Sequence, residues 1–163
     1  LTSIELHYAA GVDTALLAAP GGVVLTRTSG GPAATVQSGA TGANGRVLVS
    51  PATGLANIVV LTFDNANGDP VSDGVEYGSL ADGYWQVSIP SLSYTSPLNS
   101  SYFRRLFGDF NGDGTVDGTT DFAAFGNFFG TSVVGNAFDY DANGTIDGPT
   151  DFAQFGSRFG VTI

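Results

Sequence analysis

Residues Asp109–Gly130 read DFNGDGTVDGTTDFAAFGNFFG, and residues Asp139–Gly160 repeat the pattern as DYDANGTIDGPTDFAQFGSRFG. The copies are identical at 13 of 22 positions, which indicates an internal duplication. Each begins with an acidic loop that has oxygen-bearing side chains at positions one, three, five and nine and glycine at position six. Calcium loops need this spacing, because about six or more oxygens surround the ion and the glycine permits a sharp turn. The stretch therefore predicts two calcium-binding loops.

The composition limits the classes of partner. The 163 residues include no cysteine and no lysine, and the net charge is −10. Residues 107–163 carry −7 of this charge, so the carboxylates are concentrated around the loops. We expect no nucleic-acid partner, because phosphate binding needs clustered basic residues. We also expect no membrane span, because no apolar run in the sequence is long enough.

Residues 1–101 are predicted to form a first domain, an antiparallel β-sandwich of immunoglobulin type. Ile4, Leu6 and Tyr8 alternate with polar residues, which is typical of a half-buried strand. Short apolar stretches between Gly, Pro, Asn and Asp clusters predict further strands at regular spacing. They are Gly22–Thr28, Ala34–Gln37, Arg46–Ser50, Asn57–Phe63 and Tyr84–Ile89, and one helical turn is expected at Asp13–Ala19.

Residues 102–163 are predicted to form a second domain with small helices. A short helix is expected after each loop, because Thr and Asp residues can cap its start and a glycine follows its end. Three Phe residues lie on one face of each helix, and the two faces are expected to pack together. The candidate caps are Thr120, Asp121, Thr150 and Asp151, and the aromatic faces are Phe122, Phe125, Phe129 and Phe152, Phe155, Phe159.

The duplicated loop–helix unit resembles a dockerin domain. The segment Phe107–Gly118, FGDFNGDGTVDG, is similar to the dockerin-like ends of large surface or secreted planctomycete proteins, in which an immunoglobulin-like domain often precedes this unit. The resemblance covers about residues 107–160. It implies a dockerin-like domain at 102–163, two bound calcium ions, and an extracellular or cell-surface location.

The resemblance also implies which residues hold the ions. In each loop the side chains at positions one, three, five and nine and the backbone carbonyl at position seven would ligate calcium. For the first ion these are Asp109, Asn111, Asp113 and Asp117 with the Thr115 carbonyl. For the second they are Asp139, Asp141, Asn143 and Asp147 with the Thr145 carbonyl.

The residue that closes each loop departs from the family pattern. An acid is usual at position twelve, where this chain has Thr120 and Thr150. Asp121 and Asp151 come one residue later in both copies. Because the same insertion occurs twice, we expect a longer loop that these two aspartates still close. The alternative is that position twelve contributes little.

The predicted function class is a non-enzymatic structural or interaction protein. The chain has no cysteine nucleophile, and its one histidine, His7, leaves no second candidate base for a Ser/His/Asp set. A calcium-bound dockerin-like domain would mediate cell-surface or matrix assembly, by binding a cohesin-like protein or by joining copies of the chain into a filament. The alternative is a carbohydrate-binding module tethered to a larger secreted enzyme, with Tyr84 or Trp85 stacking on the sugar.

Overall fold

The computed structural model describes residues 1–41, 45–65, 69, 71–92 and 100–163. They form two compact units, Leu1–Phe103 and Arg104–Ile163. The described chain is mainly β with a few short helices, so the predicted class is confirmed at that level. None of its described helices has the length and apolar character needed to cross a membrane.

The first unit consists of strands that range from two to eleven residues and one helical turn. The turn, α1 (Thr14–Ala18), is capped by Asp13, whose side chain accepts a hydrogen bond from the Ala15 N–H at 3.0 Å. The five strands named from the sequence appear with boundaries shifted by a few residues. The strands are β1 (Ser3–Asp13), β2 (Val24–Ser29), β3 (Ala34–Ser38), β4 (Gly45–Ser50), β5 (Leu55–Asn65), β6 (Val71–Ser72), β7 (Val75–Glu76), β8 (Ser79–Leu80), β9 (Gly83–Ser88) and β10 (Ser100–Arg105), the last of which reaches into the second unit.

Seven strands form one mixed sheet in the order β1-β5-β4-β3-β2-β9-β10, and β6, β7 and β8 form a small second sheet. Strand β5 pairs antiparallel with β1 and β4, and β2 pairs antiparallel with β3 and β9. Strands β3 and β4 pair in parallel, with Gln37 opposite Arg46. The expectation of an entirely antiparallel arrangement is wrong at this pair. The alternation of side chains is the same in both kinds of pairing, so the sequence pattern gives no strand direction.

The core of the first unit follows the alternation of its strands. Along Ile4–Tyr8 the apolar residues are half-buried against the core and the polar residues between them are exposed, as predicted. Trp85 is fully buried, and its indole N–H donates to the Ala81 carbonyl oxygen at 2.9 Å. Tyr84 is 38% exposed. Trp85 is therefore a core residue that cannot stack on a sugar.

Gly74 packs tightly against this core. Its φ of +88° lies in the left-handed region, and a Cβ there would lie 2.8 Å from Trp85 Cη2 and 3.0 Å from Val36 Cγ2. We expect Gly74→Ala to lower the free energy of unfolding by about 2–4 kcal/mol, because backbone strain and overpacking act together. Urea unfolding followed by the fluorescence of Trp85 measures this loss.

Gly54→Ala is the matched control for this prediction. Gly54 has a φ of +97°, but a Cβ there would have no neighbour within 4 Å. Backbone strain alone should lower its free energy of unfolding by about 1–2 kcal/mol. Equal losses in the two variants would contradict the packing argument for Gly74.

The second unit consists of two loop–helix repeats. The first loop leads into α2 (Asp121–Phe128). The second leads into one π-helical turn (Gly148–Phe152) that continues as α3 (Ala153–Arg158). Gly130 and Gly160 follow the helices with φ of +77° and +79°. The predicted helix after each loop, and its glycine stop, are therefore confirmed.

The two helices meet through their aromatic faces. Phe125 and Phe155 are 1% exposed, and their ring centroids are 4.8 Å apart. Val116 and Ile146, from position eight of each loop, are fully buried in the same core. The prediction that the two aromatic faces pack together is thus confirmed for the central ring of each face. The outer rings remain about half exposed, and they are Phe122, Phe129, Phe152 and Phe159.

Candidate metal centre

The aspartate at position one of each loop fixes the turn of that loop. Asp109 Oδ2 accepts a hydrogen bond from the Gly114 N–H at 2.9 Å, and Asp139 Oδ2 accepts the equivalent bond from the Gly144 N–H, also at 2.9 Å. The two glycines at position six have φ of +92° and +86°. Glycine adopts this left-handed conformation at the least cost, which explains its presence in both copies.

Positions three and five of each loop hold one amide and one carboxylate, in opposite order. In the first loop Asn111 Nδ2 donates to Asp113 Oδ2 at 2.8 Å. In the second loop Asn143 Nδ2 donates to Asp141 Oδ2 at 3.0 Å. A neutral amide beside a carboxylate avoids the repulsion that two adjacent carboxylates would produce. Each loop therefore keeps two oxygen-bearing side chains here with a single negative charge.

Asp121 and Asp151, the closing aspartates, join the two ends of each loop and are fully buried. Asp121 accepts hydrogen bonds from the N–H groups of positions two and nine at 2.9 and 2.8 Å. Asp151 accepts the same two bonds in its own loop, both at 2.7 Å. The acid one residue beyond position twelve thus closes both loops through the backbone. The donors are Phe110 and Asp117 in the first loop and Tyr140 and Asp147 in the second.

The aspartates at position nine accept backbone N–H groups at the start of the second helical segment and in the turn just before the first. Asp117 Oδ1 accepts from the Thr119 and Thr120 N–H groups at 2.9 and 3.0 Å. Asp147 Oδ1 accepts from the Thr150 N–H at 3.1 Å. In the second repeat Asp147 is the N-cap, so the predicted capping by Thr150 or Asp151 is wrong. In the first repeat Thr120 stands at the N-cap position of α2, as predicted. The closing aspartates are engaged by the loop backbone, and the Thr120 side chain makes no capping bond.

Position seven, the predicted backbone ligand, is held from two directions. The Thr115 and Thr145 N–H groups donate to the side chains of position five at 2.9 and 2.8 Å. Both threonines also lie in isolated β-bridges, Thr115 opposite Thr162 and Thr145 opposite Ser132. Thr162 follows the helix of the second repeat and Ser132 follows the helix of the first. The bridges at position seven therefore join each loop to the other repeat.

The second loop brings three carboxylates together. One oxygen from each of Asp139, Asp141 and Asp151 lies within 4.8 Å of the other two. Both loops are completely described, and within the described residues this is the one group of three or more acidic, His or Cys side chains with such spacing. Converging carboxylates repel one another unless a positive charge lies among them. The arrangement can therefore hold a cation.

The first loop contains no matching group among these described residues. Asn111 stands where the second loop has Asp141, and the first loop has its carboxylate at position five, on Asp113, instead. Arg104 also lies beside this loop, with its Nε 3.9 Å from Asp109 Oδ2 and its guanidinium donating to a loop carbonyl. The equivalent residue of the second repeat is Val134. Sequence analysis missed Arg104 because it precedes the duplicated stretch.

Two loop carboxylates have perturbed pKa values. Burial raises the pKa of Asp151 above its ordinary value of 3.8, and the charges of Asp141 and Asp147 raise it further, against the effect of its two backbone hydrogen bonds. The hydrogen bond from the Thr120 N–H lowers the pKa of Asp117, although partial desolvation opposes this. Ionised Asp151 is thus disfavoured in the folded loop, and a nearby cation would relieve that cost.

Comparison of the chain with protein-family models, with curated proteins and with solved structures finds no match. The dockerin-like and immunoglobulin-like resemblances therefore rest on the motifs of the sequence. Any function for this chain has to be argued from the geometry of its own loops and surfaces.

The raised pKa of Asp151 predicts a pH-dependent contribution to stability in calcium-free buffer. Because the folded-state pKa lies above the unfolded value, this contribution is fully present below pH 3.8 and is lost as the pH rises through the folded pKa. Asp151→Asn cannot ionise and should lack this loss. Urea unfolding of residues 104–163, followed by their amide resonances in both proteins between acidic and neutral pH, measures the difference. Parallel pH profiles would contradict the prediction.

Proposed function

We propose that residues 104–163 form a dockerin-like domain that binds two calcium ions, one in each acidic loop. The protein would then be a non-enzymatic structural or interaction protein of the cell surface or extracellular matrix. The observation that carries this proposal is the convergence of Asp139, Asp141 and Asp151 within 4.8 Å. Flexible sets of oxygen ligands suit calcium, whereas zinc prefers Cys and His.

The closing aspartates can serve both the backbone and the ion. A carboxylate has about four lone-pair sites. The two backbone N–H groups bonded to Asp151 engage one site on each oxygen, so each oxygen retains a site for a cation. Asp151 also belongs to the converging group, which supports this double role. Asp121 makes the same backbone bonds, and we assign it the same role in the first site.

Calcium would stabilise a unit that has little else to hold it together. The unit spans Arg104–Ile163 and has one small aromatic core. Extracellular calcium modules bind with dissociation constants of about 0.1–1 mM. At about 1 mM calcium, which is about one- to tenfold such a dissociation constant, one ion adds about 0.4–1.4 kcal/mol to the free energy of unfolding. The ions would therefore decide whether the loops keep their shape.

An apolar surface on the two helices supports a role in assembly. Phe122, Phe129, Phe152 and Phe159 are each about half exposed. A shallow cavity of about 370 Å³ lies among the first three of these rings. Exposed aromatic clusters of this kind are typical of protein–protein contacts. The proposed occupant is a cohesin-like protein or another copy of this chain in a filament.

We assign the first unit as the immunoglobulin-like module that precedes the dockerin-like domain. Its largely antiparallel sheet and its buried Trp85 support this assignment. The alternative, a carbohydrate-binding module, needs exposed aromatic rings on the sheet. Of the adjacent pair named from the sequence, Tyr84 alone is exposed. Assembly is therefore the better supported function.

Calcium binding can be tested separately in each loop. The amide resonances of Gly114 and Gly144 report on the two loops, because each N–H donates to the first aspartate of its own loop. We expect both to shift as calcium is added to about millimolar concentration. Asp109→Asn should abolish the response of Gly114, and Asp139→Asn that of Gly144, because each variant loses a carboxylate ligand.

Asp73→Asn is the control for these variants, because Asp73 is exposed and lies outside both loops. It should leave both responses unchanged. Two resonances that do not respond to millimolar calcium in the unaltered chain would overturn the proposed function.

Assembly can be tested by sedimentation velocity in millimolar calcium and in excess chelator. We expect large species in calcium that disperse in chelator if copies of the chain form a filament through calcium-stiffened domains. A compact monomer in calcium that expands in chelator would instead favour docking onto a separate cohesin-like partner. Large species that persist unchanged in chelator would contradict a calcium-dependent assembly of either kind.

A further inference from the structure

The segment after α3 pairs with the first acidic loop, although it belongs to the second repeat. The Val116 N–H donates to the Val161 carbonyl at 3.0 Å, and the Gly160 N–H donates to the Val116 carbonyl at 2.8 Å. The Ile163 N–H donates to the Gly114 carbonyl at 2.9 Å. Three backbone hydrogen bonds thus join Gly160–Ile163 to positions six and eight of a loop about 45 residues earlier.

The segment after α2 makes the reciprocal contact with the second loop. The Gly130 N–H donates to the Ile146 carbonyl at 2.8 Å, and the Ile146 N–H donates to the Thr131 carbonyl at 3.0 Å. Ser132 forms the bridge with Thr145. Besides the aspartate that closes it from its own helical segment, each loop is therefore clamped by the segment that ends the other repeat.

The clamped positions lie among the proposed ligands. Thr115, the proposed backbone ligand, stands between Gly114 and Val116, and the first clamp bonds to both of these neighbours. The next residue along the chain is Asp117, at position nine. The clamp thus fixes the backbone between the ligands of positions five and nine, which is the part of the loop that has to pass around the ion.

We propose that the segment Val161–Ile163 is a positioning element for the first calcium site, and that the crossed clamps couple the two sites. This inference rests on the proposed calcium function. A cation in the second loop stabilises that loop and the start of α3, and α3 carries the segment that clamps the first loop. Coupling between sites in proteins is commonly between about 5- and 150-fold in affinity. The same factor applies in both directions, because linkage is reciprocal.

Two variants test the positioning role. A chain that ends after Gly160 lacks Val161–Ile163. Ile163→Pro keeps Val161 and Thr162 but removes the N–H that donates to the Gly114 carbonyl and replaces a side chain packed against the aromatic core. Thr162→Val is the matched control. It removes the hydroxyl that lies 3.1 Å from Thr115 Oγ1 and keeps every backbone bond.

In the truncated chain, the calcium affinity read from the Gly114 resonance should fall by about fivefold or more. Ile163→Pro should lower the same affinity. The Gly144 reporter should change less, and Thr162→Val should change neither. A greater loss at Gly144 than at Gly114 would overturn the proposal, because it would mean that the segment supports its own repeat. Unchanged binding at both reporters would overturn it as well.

Amide hydrogen exchange is a second readout that needs no cation. In the truncated chain the Gly114 and Val116 amides should exchange faster, while the Gly144 and Ile146 amides keep their protection. Equal loss of protection in both loops would overturn the crossed clamp, even if the truncation loosens the whole unit. If the unaltered chain binds no calcium, the proposed function fails, and the exchange pattern still decides whether the clamp positions the first loop.

Discussion

The second unit depends on one kind of interaction, a buried carboxylate that accepts backbone N–H groups from both ends of an acidic loop. A carboxylate buried without hydrogen-bond partners would destabilise the fold by roughly several kcal/mol. Asp121 and Asp151 avoid this cost because each accepts two backbone N–H groups. The same bonds fix the distance between positions two and nine. The geometry of the loop oxygens and the start of the helical segment are therefore set together.

The two loops carry the same number of carboxylates but differ in their arrangement and in the arginine beside the first loop. Each loop carries an amide at position three or five, so each has one carboxylate fewer than an all-aspartate loop. The first loop has Arg104 beside Asp109, whereas the second gathers Asp139, Asp141 and Asp151 with no such residue at the equivalent place. A cation in the second loop would face more negative charge. The duplicated sequence thus produces two electrostatically unequal sites.

The contacts between the two loop–helix repeats make the second unit one structure and not two independent repeats. Phe125 and Phe155 join the helices at the core, and the backbone bonds of Val116 and Ile146 join each loop to the other repeat. The hydrogen bonds within each loop are thus supplemented by backbone bonds to the other repeat. Each loop is therefore held in place by both repeats together, while the outer Phe rings of the two helices remain about half exposed.

The sequence by itself determined the features that depend on neighbouring residues. The acidic loops, the helix after each loop and the strand alternation of Ile4–Tyr8 follow from local spacing, turn preference and side-chain periodicity. The tertiary structure decided the parallel pairing of β3 with β4, the placement of Arg104 beside Asp109, and the clamp of Val161–Ile163 on the first loop. These contacts join residues that share no local pattern, and only the packing of the whole chain brings their backbone groups together.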